Sequence, residues 1–468
     1  MPFSKIAVLA LVLLVTACGD PARRLSSPPS FLEIYRELVE TNTTNDRGDC
    51  TAAAQKVADA LKTAGYPDDD VVRFVDERYP KAGGLVAVLH GTDPSLKAID
   101  LLAAIDVVEA DPAQWRHDPF KLTEENGFYY GRGVIDDKSM AAIFTDSMIR
   151  YHQEKFVSKR SLKLILTCGE ENGVFNGAQY LAEERRDLID AAFAINEGAD
   201  GQLDEKGHLV ALQVTAGDKL YRDFTLQTTG PSGHSSRPLK DNSIDRLSEA
   251  LLRIRHLEFP TQVSEVAKAY FQEMAKTQQG EIADDMRNPS DAAAANRLSE
   301  ANPTWRALLH TTCVATTVKG GEATNALPPV ATANVNCRIL PGTQPEQVRN
   351  SLVTAVADPN VTITEAPKNG AGSIPAPPLP ITQQILAPVQ QTAAKIWPGT
   401  PVIPTINIAS TDGSTFTAAG IPTYSIPRVL RDPDGDGVHG IDEHVRVDRL
   451  SQSRDFLYQT IKLYVNEP

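Results

Sequence analysis

The chain has 468 residues, a formal net charge of −14 and 41% hydrophobic residues. This is the composition of an ordinary folded protein, longer than the roughly 250–300 residues at which one core usually stops growing, so two domains are expected. The acidic balance, with no clustered Lys and Arg, excludes nucleic acid as a partner, and no segment beyond Cys18 is long and apolar enough to span a bilayer.

Lys5 precedes an apolar run from Ile6 to Val15 that ends in Thr16-Ala17-Cys18-Gly19-Asp20, the form of a secretory signal. The stretch Leu14 to Cys18 resembles the bacterial lipobox. That resemblance implies cleavage before Cys18 and diacylation of its thiol, hence a lipid anchor in the bacterial cell envelope, facing the periplasm or the outer surface. The alternative is an ordinary signal peptide whose cysteine is incidental. Residues 1–18 are thus expected to be a lipoprotein signal peptide, and 19–29, rich in Pro, Ser and Arg, a tether. Cys50, Cys168, Cys313 and Cys337 remain, in an exported setting that permits disulfides. They form no CxxC or Cys/His cluster, and Cys168, at the end of an apolar run, reads as a small packed hydrophobe.

Between residues 30 and 215 short apolar runs alternate with helical patterns, the rhythm of an α/β layer. Strands are predicted at Gly84 to Leu89, Ala98 to Ile105, Leu162 to Cys168 and Ala191 to Ile195, and helices at Thr51 to Ala64 and Lys138 to Tyr151. From residue 216 to about 370 the order becomes βαββαβ, a four-stranded antiparallel module with two helices on one face. Its second helix is opened by Thr343-Gln344-Pro345-Glu346, which has the form of a capping box. A polar, Ala-rich helical excursion, Pro260 to Pro303, interrupts it. The α/β pattern returns over 371–468, with a helix near Gln383 to Ile396 and strands around Val402 to Ile408 and Thr423 to Ile426. The fold class read from these patterns is α/β, with the second module inserted into the first.

Acidic residues stand at the ends of the predicted strands. Asp106 follows one apolar run, Glu170 and Glu171 another, and Glu197 a third; Asp136 and Asp137 follow Gly131-Arg132-Gly133. Carboxylates at strand ends of such a sheet converge on one crevice, and adjacent acids repel unless a cation intervenes, which points to a metal site.

The stretches Trp115 to Phe120, Tyr130 to Lys138, Glu170-Glu171-Asn172-Gly173, Asn196-Glu197-Gly198, Gly230 to Ser235 and His439 to Glu443, in that order, resemble the M20 family of zinc metallopeptidases and aminoacylases. The resemblance implies a zinc-exopeptidase-like mixed sheet with helices on both faces, plus an inserted lid and dimerisation domain over 216–370 between two parts of a catalytic domain. It implies two zinc ions bridged by Asp136, with a cis bond to Asp137; Glu171 and His439 would complete one zinc and Glu197 would serve the other. Glu170 would be the general base, and His234 would reach the partner subunit of a homodimer to stabilise the oxyanion. Asn325, Arg338 and Gly413, the last within Thr411-Asp412-Gly413-Ser414, would hold the carboxylate end of a peptide or N-acyl amino acid. His444 and His117 read as bystanders without useful partners.

The family's first motif is His-x-Asp, and here its histidine is Ala104, which has no donor atom. Asp106, expected to orient that histidine, lacks its usual partner. The implied function is a zinc-dependent amide hydrolase whose activity is impaired at one metal, through a natural loss or an introduced substitution. The alternative is an inactive peptide-binding lipoprotein on the same fold. A further motif, Asp432-Pro433-Asp434-Gly435-Asp436-Gly437 with Glu443, has the spacing of a calcium loop, but its flanks read as strand and loop where such a loop needs helices.

Overall fold

The computed structural model describes residues 27–171, 175–204, 206–366, 374–432 and 435–466. Cys18 and its signal, together with Asn172, Gly173 and Asp434, lie outside the described residues. In chain order the strands are β1 (Val71–Phe74), β2 (Gly84–Leu89), β3 (Ala98–Ala104), β4 (Thr123–Glu125), β5 (Phe128–Tyr130), β6 (Leu162–Thr167), β7 (Ala191–Leu203), β8 (Leu209–Asp218) and β9 (Leu220–Thr229). They continue with β10 (Gly233–His234), β11 (Thr312–Gly320), β12 (Ala326–Leu327), β13 (Val330–Ile339), β14 (Val361–Glu365), β15 (Val402–Asn407), β16 (Thr423–Arg431) and β17 (His444–Arg446).

Eight strands form a mixed sheet in the order β1-β2-β6-β3-β7-β16-β8-β15. Its centre is parallel: β3 pairs with β6 and β7, and β7 with β16. Alternation along these strands divides the core between two faces. Leu101 and Ala103 of β3 join a cluster with Val57, Ile143 and Phe456, from helices Cys50–Thr63, Lys138–Gln153 and Val447–Tyr464. Leu102, with Val86 and Ile165, packs on the other side against Leu181 and Phe416 from helices Gly177–Glu184 and Asp412–Ala418. Both faces are therefore covered by helices, which explains why β3 is buried throughout and, apart from Asp100, reads as an apolar run.

The four strands β11-β13-β9-β14 form a separate antiparallel sheet. Helices Ser243–Arg255 and Pro345–Val356 bury Leu247, Ile254, Val348 and Leu352 against its Phe224, Leu226 and Val335, so the predicted βαββαβ order is the observed one. The excursion forms helices Glu265–Met274, Gly280–Arg287, Ala292–Ala301 and Pro303–Leu309. Its Val266, Phe271, Met286 and Leu298 join the core of the large sheet instead of the small one.

Three local expectations change. Gln344, with Gln347, makes the capping box of helix Pro345–Val356, one position later than Thr343. The strand expected to stop at Ile195 runs on to Leu203 and turns back into β8. Cys168 is not a free packed thiol: it is bonded to Cys50, tying the start of helix Cys50–Thr63 to the end of β6, and Cys313 is bonded to Cys337 across β11 and β13.

Candidate active site

The parallel centre of the sheet places the ends of β6, β3 and β7 side by side, with β16 beyond β7. Ala104 ends β3 and is buried. Two residues on, the buried carboxylate of Asp106 accepts hydrogen bonds from the backbone N–H groups of Glu170 (3.3 Å) and Glu171 (3.0 Å). Asp106 thus has partners in this chain: it fixes the turn that carries the two glutamates. Burial raises its pKa, offset by these N–H donors.

Asp136 comes from the loop between β5 and helix Lys138–Gln153, and its bond to Asp137 is cis, as expected. The loop is held from below by Glu443. That side chain is 0% exposed and accepts from Arg132 Nη1 (2.8 Å) and the backbone N–H groups of Gly133 (3.0 Å), Ile135 (2.8 Å) and Asp136 (3.2 Å). His439 arrives from the same C-terminal loop, and its Nε2 lies 3.0 Å from Glu171 Oε1 and 3.2 Å from Asp136 Oδ2. Donor atoms of Asp136, Glu171 and His439 all fall within 4.8 Å of one another.

The charges in this crevice are poorly balanced. Hydrogen bonds to Asp136 and Glu171 push the His439 imidazole up to about 10. Burial, together with the charge of Asp136, raises Glu171 to about 7 despite the opposing pull of His439. Glu170 is driven well above the ordinary range, first by burial and then by the charges of Glu171, Glu197, Asp412 and Asp106. Carboxyl groups this crowded, one nitrogen ligand and no excess of side-chain cations make a donor set that suits a divalent metal at Asp136, Glu171 and His439.

Glu197 is different. It lies in β7, and with Asp136 and Asp137 it makes a second set of converging carboxylates. A guanidinium is already among them: Arg428 Nη1 lies 2.7 Å from Asp136 Oδ1, 2.7 Å from Glu197 Oε2 and 3.1 Å from Asp137 Oδ1. This second set therefore does not fit a metal as the chain stands. Sequence reasoning missed Arg428, and the available signal was a lone arginine inside the apolar run Ile426 to Leu430.

Of the expected substrate-binding residues, Gly413 is buried beside the strand ends; a Cβ there would lie 3.0 Å from Asn196 Nδ2. Arg338 on β13 is half-buried with its guanidinium 4.7 Å from the Tyr221 ring centroid, and the charge of Glu170 acts on it. His234 and Asn325 are exposed and stand together: Ser235 N–H donates to the Asn325 carbonyl at 2.9 Å, and His234 pairs with Ala326. His117 and His444, expected to lack partners, have them. His117 Nε2 lies 3.2 Å from Glu125 Oε2, and the His444 ring meets Phe128 edge-on and lies tilted against Tyr130. The calcium reading fails on the described acids: Asp432 is engaged by Arg446, Asp436 by Arg431, and Glu443 by the Asp136 loop.

Residues 101–463 match the family model described as Peptidase family M20/M25/M40. An N-fatty-acyl-amino acid synthase/hydrolase of Mus musculus is 30% identical over 391 residues, covering 80% of this chain and 75% of that protein. Acetylornithine deacetylase of Proteus mirabilis is 29% identical over 235 residues, 49% of this chain and 55% of that protein. Among solved structures, the M20 family metallo-carboxypeptidase Sso-CP2 from Sulfolobus solfataricus shares the fold with a TM-score of 0.70 at 18% identity, over 93% of this chain and 99% of that one. The Bacillus subtilis YXEP protein, described as a dinuclear metal binding peptidase from the M20 family, gives 0.55 at 12% identity, over 93% and 97%.

Proposed function

Because the chain belongs to peptidase family M20/M25/M40, we propose that it is a metal-dependent hydrolase of an amide bond adjoining a free carboxylate, in a peptide or an N-acyl amino acid. The observation that carries this reading is the convergence of Asp136, Glu171 and His439 within 4.8 Å beside Glu170. The metal is zinc, which suits one imidazole and two carboxylates. Bound there, it would lower the pKa of a water towards about 7 and polarise the scissile carbonyl.

The chain's own residues do the rest. Glu170, next to the metal position, accepts the proton of the attacking water and delivers it to the leaving nitrogen. Asp106 fixes the turn of Glu170 and Glu171, so it is a positioning residue. Arg338, a planar fork near Glu170, receives the substrate carboxylate, with Gly413 keeping the adjoining wall low. His234 and Asn325, on two exposed segments joined by the pairing of β10 with β12, serve the active site of a second copy in a homodimer, which makes residues 216–370 a lid and dimerisation unit between catalytic parts 30–215 and 371–468. Cys18 carries a lipid anchor in the bacterial envelope. The relatives named above for N-fatty-acyl-amino acids, acetylornithine and carboxypeptidase action support the substrate class.

The test is turnover of a panel of dipeptides and N-acyl amino acids by the zinc-loaded protein, with Glu170→Gln as control. Hydrolysis that Glu170→Gln abolishes is expected. Tight binding of the same compounds without turnover in the native chain would instead favour a noncatalytic peptide-binding protein, the reading that the missing donor at Ala104 supports.

A further inference from the structure

The second cation position of this fold is filled in this chain by a residue. We propose that the guanidinium of Arg428 permanently replaces the second metal ion, so that the protein binds one divalent metal per chain, at Asp136, Glu171 and His439; this rests on the metal reading above. Asp136 carries the argument. Its Oδ2 faces His439 Nε2 at 3.2 Å while its Oδ1 accepts from Arg428 Nη1 at 2.7 Å. The carboxylate thus bridges a metal position on one side and a fixed cation on the other.

Arg428 is built into the site. Its side chain is 6% exposed, and its Nε reaches Asp200 at 3.4 Å, so four carboxylates surround it. The parallel register sets Tyr424 against Ile195 and Pro427 against Ala199, which brings Arg428 alongside the Glu197 to Asp200 segment. A metal needs oxygens at about 2.0–2.6 Å. Nη1 lies at 2.7 to 3.1 Å from one oxygen each of Asp136, Asp137 and Glu197, the donors that would have to close on such an ion. Ion and guanidinium therefore exclude each other. An arginine is charged at every accessible pH, so this cation cannot be stripped by a chelator or exchanged. Ala104, buried at the end of the neighbouring strand, is the matching half of the arrangement: with no donor there, no metal at Glu197 would have a nitrogen ligand. It follows that restoring histidine at 104 alone does not restore a second metal.

The experiment counts bound metal by mass spectrometry on the full chain, loaded with excess zinc and freed of loose ions. The unaltered protein and Ala104→His are each expected to hold one zinc per chain, and the Ala104→His/Arg428→Gly double variant two. Arg428→Met, with its acids uncovered, should melt lower than the unaltered protein in chelator and gain more than that protein does when divalent cation is added, whereas Arg428→Lys keeps a cation and should follow the unaltered protein in both conditions; this comparison is independent of whether the double variant folds. Two zinc ions in the unaltered protein, or a second gained by Ala104→His alone, overturn the proposal while leaving the hydrolase reading intact. Zero zinc overturns both. A folded double variant that still holds one shows that Arg428 is not what excludes the ion.

Discussion

Glu443→Gln is the sharpest test of how the Asp136 loop is held. The two oxygens of Glu443 accept four N–H groups, two each: Arg132 Nη1 and Gly133 on Oε2, Ile135 and Asp136 on Oε1. Glutamine keeps one oxygen and turns the other into an N–H₂ donor, so two donors lose their acceptor and face another donor. Each orphaned buried donor costs about 1–3 kcal/mol. Arg132, 3% exposed in its side chain and resting 4.9 Å from the Trp115 ring centroid, also loses its counter-charge. Breaking a buried pair on one side costs about 3–5 kcal/mol, and because the two descriptions overlap, about 4 kcal/mol is the expected total. The assay is urea unfolding of both proteins without metal, followed by zinc titration. The variant should unfold about 4 kcal/mol more easily and bind zinc about 10–100-fold more weakly, because a residue that orients a ligand has been lost. Arg132→Met/Glu443→Gln should cost clearly less than the sum of the two single changes. A loss under about 1 kcal/mol for Glu443→Gln would refute the claim that this carboxylate, and not backbone conformation alone, holds the loop.

Three further outcomes are expected. Glu170→Gln should lower kcat on an N-acyl amino acid by about 10²–10⁴-fold with KM little changed, as loss of a general base does; a drop under tenfold would remove Glu170 from that role. Reducing Cys50–Cys168, or changing both to Ser, should lower stability by about 5 kcal/mol, because the bond closes a separation of 118 residues; equal melting with and without reductant would contradict it. Burial pushes the Asp218 carboxyl up to about 6, against hydrogen bonds from Thr411 and Asn407, compared with roughly 3.9 in an unfolded chain. The native state binds the extra proton between those values, so the contribution is most favourable below about pH 4 and is lost as pH rises through 6, about 3 kcal/mol in all. Asp218→Asn should remove that slope, so that the unfolding free energy of the native protein falls by about 2 kcal/mol relative to the variant between pH 4 and 7; a difference independent of pH would sink it.

The central strands and the acids at their ends were legible because both faces of the sheet are covered, so β3 and β6 read as largely apolar runs, interrupted by Asp100 and Lys163, that stop shortly before Asp106 and Glu170. The continuation of β7 past Glu197 was not, because Gly198, at φ +99°, Asp200 and Gly201 are poor strand residues and only pairing of the segment with β8 and β16 holds it in the sheet. The disulfide at Cys168 was hidden for a related reason: its partner is 118 residues away, and local pattern carries no information about that distance. Arg428 was visible as a residue but not as a site member. An arginine between Pro427 and Val429 in a buried strand must find carboxylates, yet which ones depends on strand order, and the order places β16 beside β7 only in three dimensions.

The same dependence explains why one short segment governs the site. Residues 436–446 supply His439 to the metal position and Glu443 to the Asp136 loop, and β17 pairs with β5 immediately before that loop. Arg428 enters from the strand just upstream. Asp136 therefore receives its imidazole neighbour, its guanidinium and its backbone anchor from residues about 300 positions later in the chain. Without β16 and the loop after it, Asp136, Asp137, Glu171 and Glu197 have neither Arg428 nor a complete metal site to offset their repulsion. Docking of the C-terminal segment and neutralisation of the acids are thus one event, and a divalent metal should favour the docked form in proportion to how tightly it binds.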